Sequence, residues 1–445
     1  MPEILALLQV IAPLVSKTTL RQMGHVIYGM LVTTRRLTML EISRWTETGG
    51  SYRTIQRWYH SAVPWLPVMW RFFTHQLWIA GHDYIAAGDE VVLGKAGKET
   101  YGLGRFFSSL QQRAIPGLSF FAFSLIDVQE RQAYPLYVAQ VVKAEREKQN
   151  TNKALKAKPE KRRVGRPKGS QNKTNEKPTF NPELLRIQPM LQAFLAILVG
   201  VVSVHYLALD GHFGNYPSAW LVVQTGLHLI SKLRHDAALY EPFAGKYAGR
   251  GPRPKYGDKV AVRQMKKKYL KSDTVENGFR TQMYQATLLN KEFAFPLNVV
   301  VILKTNLVTQ TQAHVILFTT DVELAYEKVV DFYSLRFQIE FNFRDAKQYW
   351  GLEDFMNVKE VAVTNAAHLA FFLVNFSTIL LRRFQDLNPE FSVLDLKSHY
   401  RGCRYVAETL KLLPQKPDAI LLAAVFEQIA RLGMIHPAFE PLPTS

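Results

Sequence analysis

Four polar residues late in the chain have a spacing that can place them on one side of a helix. At about 100° per residue, a carboxylate, two cations and a tyrosine fall within one narrow stripe, and Arg344 joins it. Such a surface suits contact with phosphates while it holds a metal ion. The alternative is a solvated helix face with an intrahelical Glu–Arg pair. The four residues, at offsets 0, 3, 7 and 14, are Tyr333, Arg336, Glu340 and Lys347.

Two aspartates supply further carboxylates for such a metal site. Asp89 lies in a strand-like run, and Asp210 directly follows another. Three buried anions repel one another unless divalent cations lie between them. Oxygen ligands favour Mg²⁺ over zinc, with Mn²⁺ able to substitute. Two ions about 4 Å apart can clamp the attacking and leaving oxygens of a phosphodiester displacement.

The elements around these acids predict an α/β fold. Asp89 falls in the first strand-like run, Asp210 ends a strand that follows a helix, and Glu340 lies on a late helix. In a ribonuclease H-like core, a mixed sheet flanked by helices, the first and fourth strands are neighbours, so the three carboxylates would converge. The predicted strands are 84–93, 118–128, 132–142, 205–209, 228–233, 279–289, 297–303 and 314–320, and the predicted helices are 182–203, one from Tyr216, 322–349 and 361–384.

The first 80 residues have a helical, aromatic-rich pattern with a candidate helix-turn-helix. Residues 37–45 form one short helix, Gly49 and Gly50 suit a turn, and Ser51 can cap a second helix. Arginine and glutamine read base edges, and the second helix is where the motif places them. A plain helical hairpin with a solvated basic face is the alternative. The candidate DNA-reading residues are Arg53, Gln56 and Arg57.

Residues 143–177 hold thirteen Lys/Arg against four Asp/Glu, half of the net charge of the chain. With almost nothing apolar to bury, this segment predicts an extended or disordered insertion. Within it, residues 162–169 resemble an AT-hook, whose Gly-Arg-Pro core lies along the narrow minor groove of A·T-rich DNA. A basic linker that contacts phosphates without sequence preference fits as well. The candidate DNA-binding residues here are Arg163, Arg166 and Lys168.

The overall composition narrows the class of protein. The chain has 55 Lys/Arg against 37 Asp/Glu, for a net charge of +18, and so attracts polyanions such as DNA or RNA. Cys403 is the only cysteine, which excludes an internal disulfide and a zinc site built on paired cysteines. Glu3 stands where a secretory signal would be basic, and the apolar run 193–204 is shorter than the roughly 20 residues of a membrane span. We therefore expect no membrane partner.

These motifs resemble those of the DDE transposases of bacterial insertion sequences. The stripe from Tyr333 to Lys347 matches the third block of one group, Tyr-x2-Arg-x3-Glu-x6-Lys (YREK), without a gap. Gly88-Asp89-Glu90, followed by Lys95-x-Gly-Lys98, is similar to the first block, although the group often has a second Asp at position 90. Residues 207–214, Leu-Ala-Leu-Asp-Gly-His-Phe-Gly, are similar to the second. The likeness covers residues 84–384.

The resemblance implies a transposase that binds double-stranded DNA, at transposon ends and target, with two Mg²⁺ ions held by Asp89, Asp210 and Glu340. A water molecule nicks the strand, and the freed 3′-hydroxyl attacks a second strand. Arg336 and Lys347 would hold phosphates, with Tyr333 beside the cut. The family also implies a homodimer on DNA, and we expect a cytoplasmic, nucleoid-associated protein. The alternatives are an inactive DNA-binding derivative and a ribonuclease H-like nuclease that only hydrolyses.

The predicted domain organisation combines these parts. The core has a β-rich insertion between the second and third acids, where Pro/Gly-rich and basic stretches interrupt the α/β alternation. The predicted units are 1–80, an N-terminal helical DNA-binding domain; 81–142 and 181–239, the first parts of the core; 143–180, the basic AT-hook-like insertion; 240–312, the β-rich insertion; 313–384, the third block and the helix after it; and 385–445, a helical tail.

Overall fold

A large mixed sheet lies at the centre of the fold in the computed structural model, which describes residues 2–46, 49–108, 111–143, 177–247, 249, 251–415 and 417–436. Within these residues the sheet has 12 strands, and helices flank it. The strands are β1 (Tyr84–Gly94), β2 (Gly104–Ser108), β3 (Arg113–Asp127), β4 (Gln132–Gln140), β5 (Val204–Leu209), β6 (His228–Leu233), β7 (Leu239–Pro242), β8 (Tyr256–Lys259), β9 (Leu270–Glu276), β10 (Phe279–Asn290), β11 (Leu297–Asn306) and β12 (Gln312–Thr319).

The strand order places the first strand beside the strand that ends at Leu209. The path runs β2-β3-β1-β5-β6-β12-β11-β10-β7-β8, with β4 paired to β3 and β9 paired to β10. β1, β3 and β4, which correspond to the first three predicted strands, form an antiparallel meander, with β2 as an additional strand between β1 and β3. β1 and β5 are parallel, and β5 is parallel to β6. A mixed α/β fold consistent with a ribonuclease H-like core is therefore confirmed.

Helices precede the sheet, interrupt it and follow it. Asn181 caps the helix before β5 by accepting from the Leu184 amide at 2.8 Å, so the polar turn after the basic segment sets where this helix begins. The helices are α1 (Pro2–Leu8), α2 (Lys17–Val32), α3 (Met39–Trp45), α4 (Tyr52–Tyr59), α5 (Trp65–Gln76), α6 (Pro182–Leu198), α7 (Tyr216–Gln224), α8 (Tyr326–Leu335), α9 (Gln338–Gln348), α10 (Glu360–Gln385), α11 (Val393–Leu412) and α12 (Ala419–Ala430).

The single long helix predicted over 322–349 is wrong, because the structure has two helices, α8 and α9, separated at Arg336 and Phe337. The amides of Phe337, Ile339 and Glu340 donate to carbonyls three residues earlier, at 3.0 to 3.1 Å. Hydrogen bonds over three residues tighten the chain and end the regular α-helical spacing. The angles computed for one uniform helix therefore do not hold across this break.

The long apolar helix α10 lies in the interior. By length and composition it could cross a membrane, but 83% of its most apolar stretch is buried within the protein. It packs against β4 and against α4, α5 and α9. One cluster of buried apolar side chains runs from Ile4 to Tyr400 and includes both the N-terminal helices and the sheet. α10 is thus the central core helix of the part of the chain that the structure describes.

Candidate active site

Two neighbouring parallel strands bring Asp89, in the middle of β1, close to Asp210, which directly follows the end of β5. Gly88 of β1 pairs with Leu209 of β5, and each aspartate is the next residue in its chain. A 3₁₀ turn follows Asp210, whose carboxylate accepts a hydrogen bond from the His212 amide at 3.1 Å. Because β1 and β5 are parallel and pair up to Gly88 and Leu209, the pairing register itself fixes where these two carboxylates lie.

Arg336 joins the first carboxylate to the third. Its guanidinium donates to Asp89 Oδ2 at 3.2 Å and to Glu340 Oε1 at 3.1 Å. The residue is only 6% exposed, and its Nε has no hydrogen-bond partner among the described residues. The break between α8 and α9 therefore turns Arg336 inward, where the predicted stripe would have left it facing out. Asp89 and Glu340 thus lie on opposite sides of one buried cation.

The environment of Asp89 favours its neutral form. Burial raises the pKa of Asp89 to about 6, the charges of Asp210 and Glu340 add to this effect, and Arg336 opposes it. A carboxyl with a raised pKa is one whose charge is incompletely compensated by its surroundings. More positive charge at this position would stabilise the ionised form. The candidate site is therefore short of cationic charge, even with Arg336 in place.

The residues fit a hard divalent cation by their chemistry. Asp89, Asp210 and Glu340 offer only oxygen ligands, the type that Mg²⁺ and Mn²⁺ prefer. In the arrangement seen, no three Asp, Glu, His or Cys side chains of the described residues form a group that could hold a metal ion. Arg336 lies between two of the three carboxylates. Binding of a metal ion by all three would therefore require this guanidinium to move.

Glu90 does not share the site of Asp89. Adjacent residues of a strand point to opposite faces of the sheet. The Glu90 carboxylate accepts a short hydrogen bond from the Ser119 hydroxyl, and burial raises its pKa. The carboxylate that contacts Arg336 is that of Asp89. The geometry therefore favours Asp89 over Glu90 as the residue that can meet the other two acids.

The remaining stripe residues separate into different environments. Tyr333 is half-buried, with its ring 5.7 Å from the Arg336 guanidinium, and burial raises its pKa. Lys347 donates to the Val92 carbonyl at 3.3 Å, which ties α9 to β1. Arg344 is exposed and pairs with Asp345. The structure therefore places Tyr333 beside Arg336, Lys347 at the edge of the first strand and Arg344 at the surface.

The N-terminal candidates for DNA reading lie on one exposed face. Ser51 caps α4 by accepting from the Thr54 amide, and the other face of this helix, with Ile55 and Trp58, is fully buried. The second helix of the predicted motif is present as α4. The exposed residues are Arg53, Gln56 and Arg57. The AT-hook-like candidates Arg163, Arg166 and Lys168 lie outside the described residues.

Sequence analysis missed a contact behind the second acid. His212 Nε2 and Glu183 Oε2 are 2.9 Å apart, which links the turn after Asp210 to the first turn of α6. The hydrogen bond that His212 donates to the Glu183 carboxylate raises the pKa of His212. His212 lies within residues 207–214, which the sequence identified as similar to the second block. Its partner, 29 residues earlier, was not identified.

A second missed contact ties the first block to the segment after α9. Lys95 donates to the carbonyls of Glu353 and Phe355 at 2.8 and 2.7 Å, with its ammonium 4.0 Å from the Phe355 ring centre. Burial lowers the pKa of Lys95 to about 8. This lysine therefore fastens the end of β1 to the chain that leaves the third block.

Comparison with known families identifies the superfamily of the chain. The family model described as DDE superfamily endonuclease matches residues 9–289, well over half of the chain. The matched region contains Asp89 and Asp210 and ends before Glu340. None of the curated proteins gives a significant match. Such a match indicates a nuclease of the transposase type, with DNA as substrate, from a superfamily whose members generally use divalent metal ions.

Proposed function

Since this chain belongs to the DDE superfamily of endonucleases, we propose that it is a DNA transposase of the YREK group of bacterial insertion sequences. It binds the ends of its element, cleaves the DNA and joins the freed 3′-hydroxyl to a second strand. The observation that carries this proposal is the contact of Arg336, from the third block, with both Asp89 and Glu340. Two motifs some 250 residues apart thus meet at the edge where Asp210 also lies.

The proposed roles follow from the chemistry of the side chains. Asp89, Asp210 and Glu340 hold two Mg²⁺ ions, which when bound would activate the attacking oxygen and stabilise the leaving oxygen. Arg336 neutralises the carboxylates in the free protein and contacts a phosphate when DNA is bound. Tyr333, which packs beside Arg336, lies next to the cut strand. The buried Nε of Arg336 supports this change of partner, because it has no hydrogen-bond partner among the described residues.

The outer parts of the chain provide further DNA contacts in this proposal. Residues 1–80 read DNA through the exposed face of α4, residues 143–180 form a basic AT-hook-like insertion, and residues 240–312 form a β-rich insertion. Lys347 and Arg344 contact phosphates near the cut. The protein acts as a homodimer on DNA in the cytoplasm, associated with the nucleoid. The net charge of +18 and the exposed arginines of α4 support DNA as the partner.

Removing each carboxylate tests the proposal. Asp89→Asn, Asp210→Asn and Glu340→Gln should each abolish Mg²⁺-dependent nicking of element-end DNA, because a neutral amide binds a hard cation poorly. DNA affinity, measured by gel shift in EDTA, should stay close to that of the unaltered protein. Asp331→Asn, an exposed acid on α8, is the matched control and should cleave normally. A variant that still cleaves removes its residue from the site.

Joining separates a transposase from a nuclease that only hydrolyses. A pre-cut element end with a free 3′-hydroxyl is incubated with a supercoiled target and Mg²⁺, and we expect a covalent product in which that end is joined to the target. A substrate with a 3′-dideoxy end should give none. Cleavage without joining would identify a hydrolytic nuclease, and binding without either reaction would identify an inactive derivative.

A further inference from the structure

A dense group of cations lies around β8 and the start of β9, away from the three acids. Residues 246–271 contain ten Lys/Arg and one acid, Asp258. We define the β8–β9 basic surface as the exposed cations of this segment between positions 255 and 271. They are Lys255, Lys259, Arg263, Lys266, Lys267, Lys268 and Lys271.

The nearby acids already have partners, whereas several cations do not. Glu241 pairs with Lys266 and Lys268, and Asp258 lies 3.9 Å from Lys266. These pairs also hold the loop 260–269 against β7 and β8, so the surface is one continuous patch. The cations whose side chains make no hydrogen bond or ion pair with any residue the structure describes are Lys259, Arg263, Lys267 and Lys271.

This patch continues to the turn that follows Asp210. A surface cleft is lined by Gly214, by Leu233 and Arg234, by residues 236–238 and by residues 290–293. Lys291 at its edge places its ammonium 4.7 Å from the Tyr240 ring and 5.7 Å from the Tyr256 ring. Tyr240 pairs with Lys259 in the β7–β8 ladder. The surface therefore leads from Gly214, four residues after the second acid, along the cleft and Lys291 to Tyr240 and Lys259.

We propose that the β8–β9 basic surface binds the phosphate backbone of duplex DNA next to the position that the three acids cleave. This inference rests on the proposed function and extends it to a surface outside the third block. Four cations without internal partners produce a field that a polyanion neutralises, and exposed lysines contact phosphates without reading sequence. The cleft gives the same duplex a path from this surface to Asp210.

The salt dependence of binding measures these contacts. The triple variant Arg263→Gln/Lys267→Gln/Lys271→Gln is compared with Lys328→Gln/Lys359→Gln/Arg431→Gln, which removes three exposed cations outside the segments proposed to contact DNA. Affinity for a labelled duplex is measured by fluorescence anisotropy in EDTA between about 50 and 200 mM salt, where each lost phosphate contact lowers the slope of log K against log salt by roughly 0.9. We expect the surface triple to lower the slope by about 2 to 3 and the control triple to leave it unchanged.

Each result decides the proposal. Equal slopes for the surface triple and the unaltered protein overturn it, and so does an equal loss in both triples, which would show an effect of net charge alone. Tighter binding of duplex RNA with the same dependence on these residues overturns the assignment to DNA. The single variants Lys267→Gln and Lys271→Gln, each expected to lower the slope by about 0.9, provide the test should the triple unfold. Because EDTA prevents cleavage, a lowered slope supports this surface even where no nicking occurs in Mg²⁺, a result that would contradict only the proposed function.

Discussion

Asp89 and Glu90 are adjacent in β1, yet their carboxylates have different partners. Asp89 meets Arg336, whereas Glu90 accepts from Ser119. Glu90→Gln should therefore leave the rate of Mg²⁺-dependent cleavage close to that of the unaltered protein, because glutamine can still accept from Ser119. The cost in stability should be about 1 kcal/mol, measured by urea denaturation beside the cleavage assay.

The comparison with Asp89→Asn completes this test. That variant should lose cleavage although its stability stays unchanged or rises, because it removes a buried charge that Arg336 compensates only in part. Loss of cleavage in Glu90→Gln, with retention in Asp89→Asn, would reverse the assignment between the two neighbours.

At the residue scale, spacing predicted which side chains stand near Glu340 but not which way each one faces. The prediction that Tyr333 and Glu340 lie on one side of a helix assumed that the helix is uniform between them. The three-residue hydrogen bonds at Phe337 and Glu340 change the angle between these two residues and bury Arg336. Buried ion pairs form between segments that are distant in sequence, and a local sequence pattern does not show which segments meet. For the same reason the contact between Glu183 and His212 could not be found from the chain alone.

At the scale of elements, apolar periodicity predicted most strands and helices, because burial on one face imposes it. The strand 205–209 and the helix from Tyr216 were both expected, and both are present. β2 was not predicted. It has only five residues, begins with a glycine and ends with a serine, so the sequence shows little alternation of apolar and polar residues there. The neighbouring position of β1 and β5 came from the order of elements and from the resemblance, and the pairing register confirms it.

Gly214 shows how closely the turn after Asp210 approaches β6. A Cβ atom there would lie 2.0 Å from the Lys232 carbonyl oxygen, and backbone cannot yield as a flexible side chain does. Gly214→Ala should lower the free energy of unfolding by about 1 to 3 kcal/mol, the usual cost of overpacking, and should slow cleavage by shifting Asp210.

Gly94→Ala is the matched control for this turn, because its nearest neighbour would be Ile115 at 4.0 Å. Urea midpoints and nicking rates of both variants check the prediction. Equal stability of the two variants would mean that the turn can relax away from Lys232 at no cost.

At the scale of the whole molecule, the sequence suggested separate units, but the core is shared between them. Buried side chains of residues 1–80 belong to the same cluster as those of the sheet and α10. The high apolar content of α10 indicated that this helix is buried. The elements that pack against it could not be predicted, because a helix that is apolar on all sides has no single face that identifies its neighbour. The described N-terminal helices are therefore packed against the core that holds the three acids.

Asn365 on α10 is the polar link in that packing. Its side chain accepts from Trp65 Nε1 at 2.8 Å and donates to the carbonyls of Tyr59 and Ser61, each at 2.8 Å. It is 2% exposed, so Asn365→Leu would leave three buried polar groups unpaired. At 1 kcal/mol or more for each, the free energy of unfolding should fall by about 3 kcal/mol. Thr364→Ala, on the same helix without a side-chain bond, should change it by less than about 0.5 kcal/mol.

Tryptophan fluorescence and circular dichroism, measured together during urea unfolding, show whether the N-terminal helices unfold with the core. Five of the seven tryptophans lie between positions 45 and 78, so tryptophan fluorescence follows mainly this region, while far-ultraviolet circular dichroism follows the whole chain. Because the core is continuous, both signals of Asn365→Leu should shift to the same lower urea midpoint. A fluorescence change that precedes the loss of circular dichroism would show that residues 1–80 unfold alone. In that case the face of α4 could move relative to the three acids when DNA binds.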